Sequence, residues 1–544
     1  MLTVLAGLLV WVPALLGWGD AVLPAFLGGR LRDDDEAGFA VRGFVGLGLL
    51  GTLGAALNLV VGLGPGLSSA AALVGILLFA RELRGSHDPL AKGDAAALAG
   101  LAIVIALFAS GPIRLYDTAL YHLQAVNWST AGPIPAGLAN LHRRFGLNSL
   151  WFPAASLLEL PGFAGRGTWL VSSLALFFFG SAVWKGARKA VAGAVDASSA
   201  LLALGVLPLA VFASNEGLPS LSTDLPAASL TILAAALLLR EPCGRAERRA
   251  AVTLAFFAVT VKLSVAVFFL AVILVARAFP AALVISAVAW VSRGIALSGY
   301  LLYPSIATRL GFLPWAVPAA AAREEIDWAR GWARLPGRPL AETLVGSAWL
   351  SEWARATATK PSIVSLLLLV LAGLAALVLA RRRAAPTARG RTAAVFAAAA
   401  ASTLFWFWSA PDPRFGYGAL FVLAALPLAV ALPRFGLADV SLRMRRIAAS
   451  LAAAGVALAG LLFVIVGSGV RPSALVPPGV PHPIVKELHT REGESVFVPA
   501  FDDRCWDAPR PCTPYVDPRL AVDRDLHGRL RVFSLSPLPV ASGP

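Results

Sequence analysis

The feature that most limits what this chain can become is a succession of long apolar runs, most followed by a short stretch rich in arginine or lysine. A run of about 20 apolar residues, coiled at about 1.5 Å per residue, crosses the hydrocarbon of a bilayer. In lipid, backbone N–H and C=O groups must find partners within their own segment, so such runs form helices. They lack the two-residue alternation of a membrane β-barrel strand. Only 14% of the 544 residues are charged and 58% are hydrophobic, against roughly a quarter charged in a soluble domain. That excludes a water-soluble enzyme of this size. The chain reads as an all-α polytopic membrane protein.

Helices are expected near 2–28, 42–62, 67–80, 95–111, 168–184, 199–213, 225–239, 250–277, 280–303, 362–380, 392–408, 416–433 and 447–468. The 250–277 run carries Lys262 near its middle. It reads as two short helices that dip in and return, which brings the total to about 13–14 transmembrane or membrane-dipping helices; the alternative is one tilted span. Basic residues favour cytoplasmic loops. They gather as Arg81, Arg84 and Lys92; Lys185, Arg188 and Lys189; Arg240, Arg245, Arg248 and Arg249; Arg381, Arg382, Arg383, Arg389 and Arg391; and Arg434, Arg443, Arg445 and Arg446. With the hairpin, all of these fall on one side; a single span would divide them.

The expected organisation is a multi-span domain over 1–468, with large external loops at 112–167 and 304–361, and an extracytoplasmic tail over 469–544. Met1–Trp18 has no basic leader and reads as a retained span rather than a cleaved signal. The formal charge of +15 is read as topology plus anionic lipid or phosphate partners, not nucleic acid, because no basic patch interleaves with aromatics on a polar domain. Cys505 and Cys512 sit close together in the tail and can pair in an oxidising compartment, or stay as free thiols. Cys243 falls in an expected cytoplasmic loop. No acidic pair or Cys/His set has metal-ligand spacing, so neither a metal nor a cofactor is implied. No internal repeat is visible.

Polar residues at a membrane are costly and therefore point to function. The densest stretch is Arg114-Leu-Tyr-Asp-Thr-Ala-Leu-Tyr-His-Leu-Gln-Ala-Val-Asn-Trp128. On a helix, Asp117, Tyr121, Gln124 and Trp128 share one face, with His122 beside it. Asp117 is a candidate general base for an acceptor hydroxyl, the alternative being a helix cap. Asn140, His142, Arg143 and Arg144 follow in a stretch read as an interfacial amphipathic helix, its arginines placed to hold phosphate or lipid headgroups. Asn215-Glu216 and Asp224, Lys262, Arg293, and the proline-stiffened pair Asp412 and Arg414 are expected on the same side. For Lys262 and Arg293 the alternative is pairing with Asp224 or Glu216 as structural glue, and for Asp412 and Arg414 a local clamp. Trp328 with Trp332 and Trp349 with Trp353 are four apart, which suits interfacial anchoring or a sugar-stacking platform.

Tyr116-Asp-Thr-Ala-Leu-Tyr-His-Leu-Gln124, Asn140-Leu-His-Arg-Arg144, Thr223-Asp-Leu-Pro226, Lys262-Leu-Ser264, Pro411-Asp-Pro-Arg-Phe415 and the Cys505-Trp-Asp…Pro-Cys512 segment together resemble an uncharacterised family of bacterial multi-span membrane proteins. More distantly, the layout resembles the GT-C superfamily of membrane glycosyltransferases, which use polyprenyl-phosphate sugars. That resemblance implies an inverting glycosyltransferase at the outer face of a bacterial inner membrane, acting on a lipid or surface-glycan acceptor. Asp117 would be its catalytic carboxylate, and Lys262 and an arginine would hold the donor phosphate. Four spans precede Asp117 where many GT-C enzymes have one, and Asp224 is the second candidate. The competing readings are a lipid-linked glycan polymerase or ligase and, from another class, a transporter or flippase. Transporters keep ionisable groups near the bilayer midplane, often on repeated halves, whereas here these groups gather at one boundary.

Overall fold

A computed structural model describes residues 1–28, 37–85, 92–162, 167–214, 217–381, 389–435, 444 and 479–536. The helix expected at 447–468, Asn215-Glu216, and Arg382, Arg383, Arg443, Arg445 and Arg446 lie outside the described residues. The protein is mostly helical, and seven of its described helices are long and apolar enough to cross a membrane. Each helix expected before residue 434 has a counterpart.

Leu2–Leu27 packs against both Gly38–Leu57 and Pro65–Gly85. Lipid supplies no hydrophobic drive between helices, so close backbone approach must. Glycines allow it: a Cβ on Gly17 would strike the Gly75 carbonyl, and one on Gly46 the Leu15 carbonyl.

The 250–277 run is two helices, Arg245–Val261 and Ala266–Ala276, joined through a short 3₁₀ turn. Lys262 breaks the first with extended backbone, at φ −147° and ψ 114°. The two arms pack on each other, so the chain turns back there, as the hairpin requires. Arg240 caps the end of the helix that begins at Asp224, and Arg391 lies in the first turn of the one that ends at Ser409. Arg391 Nη2 donates to the Arg240 carbonyl at 3.2 Å, so these basic residues meet at the end of the bundle away from Asp224 and Ser409.

Two segments expected as large loops are built structure. One holds a π-helical turn, Thr118–His122, running into Leu123–Ala131, then Leu138–Leu141, a 3₁₀ turn Arg143–Gly146, and Trp151–Ser156. The other holds Ala319–Arg334, Leu340–Leu344 and Trp349–Ala358.

The all-α expectation needs correction in the tail. There β1 (Val485–His489) pairs antiparallel with β2 (Ser495–Pro499), and β3 (Leu520–Arg524) with β4 (Leu530–Leu535). β-branched and alternating residues such as Ser495-Val-Phe-Val-Pro499, bounded by glycine and proline, favour strands over helix. Cys505 and Cys512 form a disulfide, and Cys243 is free and buried.

The tail docks on the 118–137 segment. Trp506 N–H donates to the Ala119 carbonyl at 2.8 Å. Gln124 Nε2 donates to the carbonyls of Trp506 and Ala508, at 3.1 and 2.9 Å. β4 adds a parallel bridge at Ala136: Ala136 N–H reaches the Arg531 carbonyl at 2.9 Å, and Phe533 N–H reaches the Ala136 carbonyl at 2.8 Å. Gly137 makes this approach possible. Its φ of +69° is left-handed, and a Cβ there would collide with the Phe533 carbonyl.

Candidate active site

Where the helix that begins at Asp224, the Lys262 break and the 409–414 corner converge, the two built segments and the tail enclose a cavity of about 1630 Å³. Its walls include Leu115, Leu120, Leu147, Phe152, Val261, Leu263, Leu301, Leu302, Val317 and Phe405. Its charged lining includes Asp117, Arg143, Arg144, Asp224, Lys262, Glu324, Glu325 and Arg414. It is therefore amphiphilic, with apolar sides around an ionic centre.

Asp117 is the hub of that centre. Arg144 Nη1 donates to Oδ1 at 3.0 Å, and Arg414 Nη2 donates to Oδ2 at 2.9 Å. The carboxylate makes no side-chain cap bond to the helix it precedes, so the capping alternative does not describe it. Burial works against its charge, but Arg414, with His122, Arg144 and Lys262, outweighs burial and holds the carboxyl below its usual range. Lys262 pairs with Asp224 and lies 4.2 Å over the Phe415 ring. Arg144 also faces Glu325, with Nε 3.7 Å from the carboxylate, and stacks 4.2 Å over Trp328. Arg414 lies 4.9 Å over Trp332, and its buried Nε has no hydrogen-bond partner among the described residues. A guanidinium carries five N–H donors, so pairing with Asp117 fixes each arginine in place while leaving donors for another anion.

Of the residues singled out from the sequence, Asp117, Tyr121, His122, Asn140, His142, Arg143, Arg144, Asp224, Lys262 and Arg414 all line this cavity. Gln124, Arg293, Asp412, Cys505 and Cys512 are not among its lining residues. Gln124 holds the tail. Arg293 is 2% exposed, donating to Asn148 Oδ1 at 3.0 Å and Ser129 Oγ at 3.3 Å. Among the described residues its hydrogen-bond partners are these neutral acceptors and not Asp224, while Glu216, the other partner expected, lies outside the described residues. Asp412 caps the helix Pro413–Ala431, accepting from Arg414 N–H at 3.0 Å, and pairs with Lys360 at 3.2 Å.

Two local expectations change. The π turn adds a residue to one helical turn, so the single face expected for Asp117, Tyr121, Gln124 and Trp128 splits: the first two meet the cavity and the last two meet the tail. The stretch around Asn140–Arg144 is not one interfacial amphipathic helix. His142 is extended and divides it, and Leu138, Leu141 and Phe145 are buried. Asn140 Nδ2 donates to the Trp315 and Phe533 carbonyls at 2.9 and 3.0 Å, so that amide joins segments together. Arg143 is half-exposed and pairs with Glu324.

Burial lowers His122 to about 4 and His142 to about 3, so both are neutral at pH 7. Glu325 shifts the other way: burial raises its carboxyl, with Arg144 and Arg143 offsetting part of the effect. Sequence reasoning missed Glu325. The available signal was its spacing: Glu325, Trp328 and Trp332 are three and then four apart, one face of the Ala319–Arg334 helix. The tail residues Asp503, Tyr515, Asp517 and Arg519, which also line the cavity, carried no such signal.

No curated protein and no solved structure matches the chain. A family model does match, over residues 1–421, and it is described as a domain of unknown function, DUF8201. The match takes in the helical bundle to residue 421, Arg414 and Phe415 included, and stops short of the tail strands. By that match, over most of its length, the chain belongs to the DUF8201 family.

Proposed function

We propose that this protein is a membrane glycosyltransferase of GT-C character that moves a sugar from a polyprenyl-phosphate-linked donor to a lipid or surface-glycan acceptor at the outer face of a bacterial inner membrane. The observation that carries this reading is the convergence of Arg144, Arg414 and Lys262 on Asp117 and Asp224 inside a largely apolar cavity at one end of membrane-length helices. A lipid-linked sugar phosphate has the matching shape: a long apolar chain, an anion, and a polar ring. The prenyl chain suits the leucine- and phenylalanine-lined wall. The phosphate suits the unspent donors of Arg414 and Arg144 and the Lys262 ammonium.

In the transfer, the bond between the sugar and the phosphate oxygen breaks, and negative charge grows on the departing lipid phosphate. Cations held in place beforehand stabilise that charge without reorganising. Asp117 fixes the two guanidiniums in their orientations, and Asp224 fixes Lys262. The positively charged helix ends away from the cavity agree with a cytoplasmic side there, which supports the reading of an outward-facing cavity.

The test is transfer of radiolabelled sugar from a polyprenyl-phosphate donor in proteoliposomes, comparing wild type with Asp117→Asn and Asp224→Asn. Covalent transfer that both variants weaken supports the reading. Label that crosses the bilayer with no new covalent product makes the protein a flippase instead.

A further inference from the structure

We propose that Glu325, rather than Asp117, accepts the proton of the incoming acceptor hydroxyl; this rests on the transferase reading above. The two carboxylates differ in what holds them. Both oxygens of Asp117 are occupied by guanidinium hydrogen bonds, at 3.0 and 2.9 Å. A carboxylate so held is stabilised as an anion, which makes it a weak base and a good fixed charge. Taking a proton would cost it both ion pairs. Glu325 also lines the cavity, but its nearest cation, Arg144 Nε, stands 3.7 Å away, outside hydrogen-bond distance. Its side chain is 13% exposed, so its oxygens are shielded from bulk water yet open to the cavity. Burial makes it the more basic of the two.

The groups facing Glu325 are Arg144 and Arg143 from the 143–146 turn, Asp117 and Tyr121 from the start of the 118–131 helix, and Tyr303. Arg144 joins the two carboxylates, bonding Asp117 through Nη1 while its Nε faces Glu325. The Glu325 helix brings Trp328 to the same cavity, 41% exposed and stacked with Trp332 at 14° between ring planes. Indole faces next to a base suit an acceptor that is itself a sugar.

In the step, the acceptor O–H bond breaks and its proton passes to a Glu325 oxygen. The acceptor oxygen bonds to the anomeric carbon, and the bond from that carbon to the phosphate oxygen breaks. The lipid phosphate leaves with the electron pair, and the configuration at the anomeric carbon inverts.

The experiment is steady-state transfer in proteoliposomes from a radiolabelled polyprenyl-phosphate sugar, over a range of pH, with wild type, Glu325→Gln, Glu325→Asp and Asp117→Asn. Glu325→Gln is expected to lower kcat by about 10²- to 10⁴-fold, with donor KM within about threefold of wild type, and to abolish the acid limb of the wild-type kcat profile. Glu325→Asp keeps the charge but draws it back by one methylene; it is expected to lower kcat less and to keep the acid limb. If Glu325→Gln does not fold, that second variant carries the test. Asp117→Asn is expected to raise donor KM and keep the acid limb. Wild-type kcat and an intact acid limb in Glu325→Gln would overturn the assignment while leaving the transferase reading standing. No transfer by wild type would overturn both.

Discussion

The segment from Asp117 to Ala131 serves two different neighbours. Before Leu123, Asp117, Tyr121 and His122 turn to the cavity, where Asp117 gathers two guanidiniums. After it, Gln124 and Trp128 turn to the tail: Gln124 fills two backbone carbonyls, and Trp128 meets Phe533 edge-on, with ring centroids 5.8 Å apart. Both halves are polar and aromatic to about the same degree. The first half makes long-range ion pairs that face an open cavity, and the second spends its amide and ring on the tail, away from that cavity. Leftover polar atoms alone do not mark a ligand site, since Gln124 Oε1 and Trp128 Nε1 also lack hydrogen-bond partners among the described residues; a charged cluster beside open volume does.

The largest effect on transfer expected from this contrast is at Asp117. Asp117→Asn leaves Arg144 and Arg414 sharing no anion between them. Breaking a buried ion pair costs about 3–5 kcal/mol, and residual exposure of Arg414 brings the expectation to about 2–3 kcal/mol. Thermal unfolding in detergent micelles measures it. Transfer is expected to drop at least about 10²-fold alongside, and an unaltered melting point would show that Asp117 is not the hub.

On the tail side, Phe533 is fully buried. Truncation of a buried phenylalanine costs about 3 kcal/mol or more, and here the cost falls on docking. In Phe533→Ala, limited proteolysis is expected to cut within 479–536 while the helical bundle stays protected. Gln124→Ala is expected to act in the same direction more weakly, by about 1–3 kcal/mol for the carbonyls left unpaired. Equal cleavage of variants and wild type would separate the tail from this helix.

The buried histidines predict a pH dependence confined to the cavity side. Both fold as neutral imidazoles with depressed pKa values. Their contribution to stability is whole above about 6.5, the unfolded value, and is lost as pH falls towards about 4 for His122 and about 3 for His142, by up to about 1.4 kcal/mol per unit each. Melting curves from pH 7.5 to 4.5 should show this slope, and His122→Gln should flatten it.

The smallest effect is expected at Arg293. Its hydrogen-bond partners among the described residues are neutral, so Arg293→Met breaks no ion pair there. Replacing a buried charge with a fitting apolar side chain is neutral or mildly stabilising. Transfer is expected within about twofold of wild type, and a large loss would bring Arg293 into the site.

Much of the bundle was legible because lipid leaves a chain few choices: apolar length gives helices, and Lys262 in mid-run gives a break. Asp117, Arg144, Asp224, Lys262 and Arg414 stood out because charge beside apolar runs demands a partner. What the sequence hid was the identity of each partner. Nothing near Arg144 announces Glu325, because ion pairs across loops carry no spacing rule. Gln124 looked like a ligand-binding amide because its acceptors are backbone carbonyls, which no side-chain pattern records. The tail strands were hidden by their shortness, and the phase change at residues 118–122 by a helical repeat that looked regular.

That phase change sets a rule for insertions and deletions. Removing one residue within this turn would let it relax to ordinary α-helix with Asp117 and Gln124 keeping their present directions, whereas relaxing to α-helix at unchanged length would rotate everything downstream by about 100°. The chain could then keep its carboxylate aimed at the arginines or its glutamine aimed at the tail, but not both. Chains of this type are therefore expected to tolerate loss of one residue from this turn more readily than gain of one, because the turn already absorbs one extra residue.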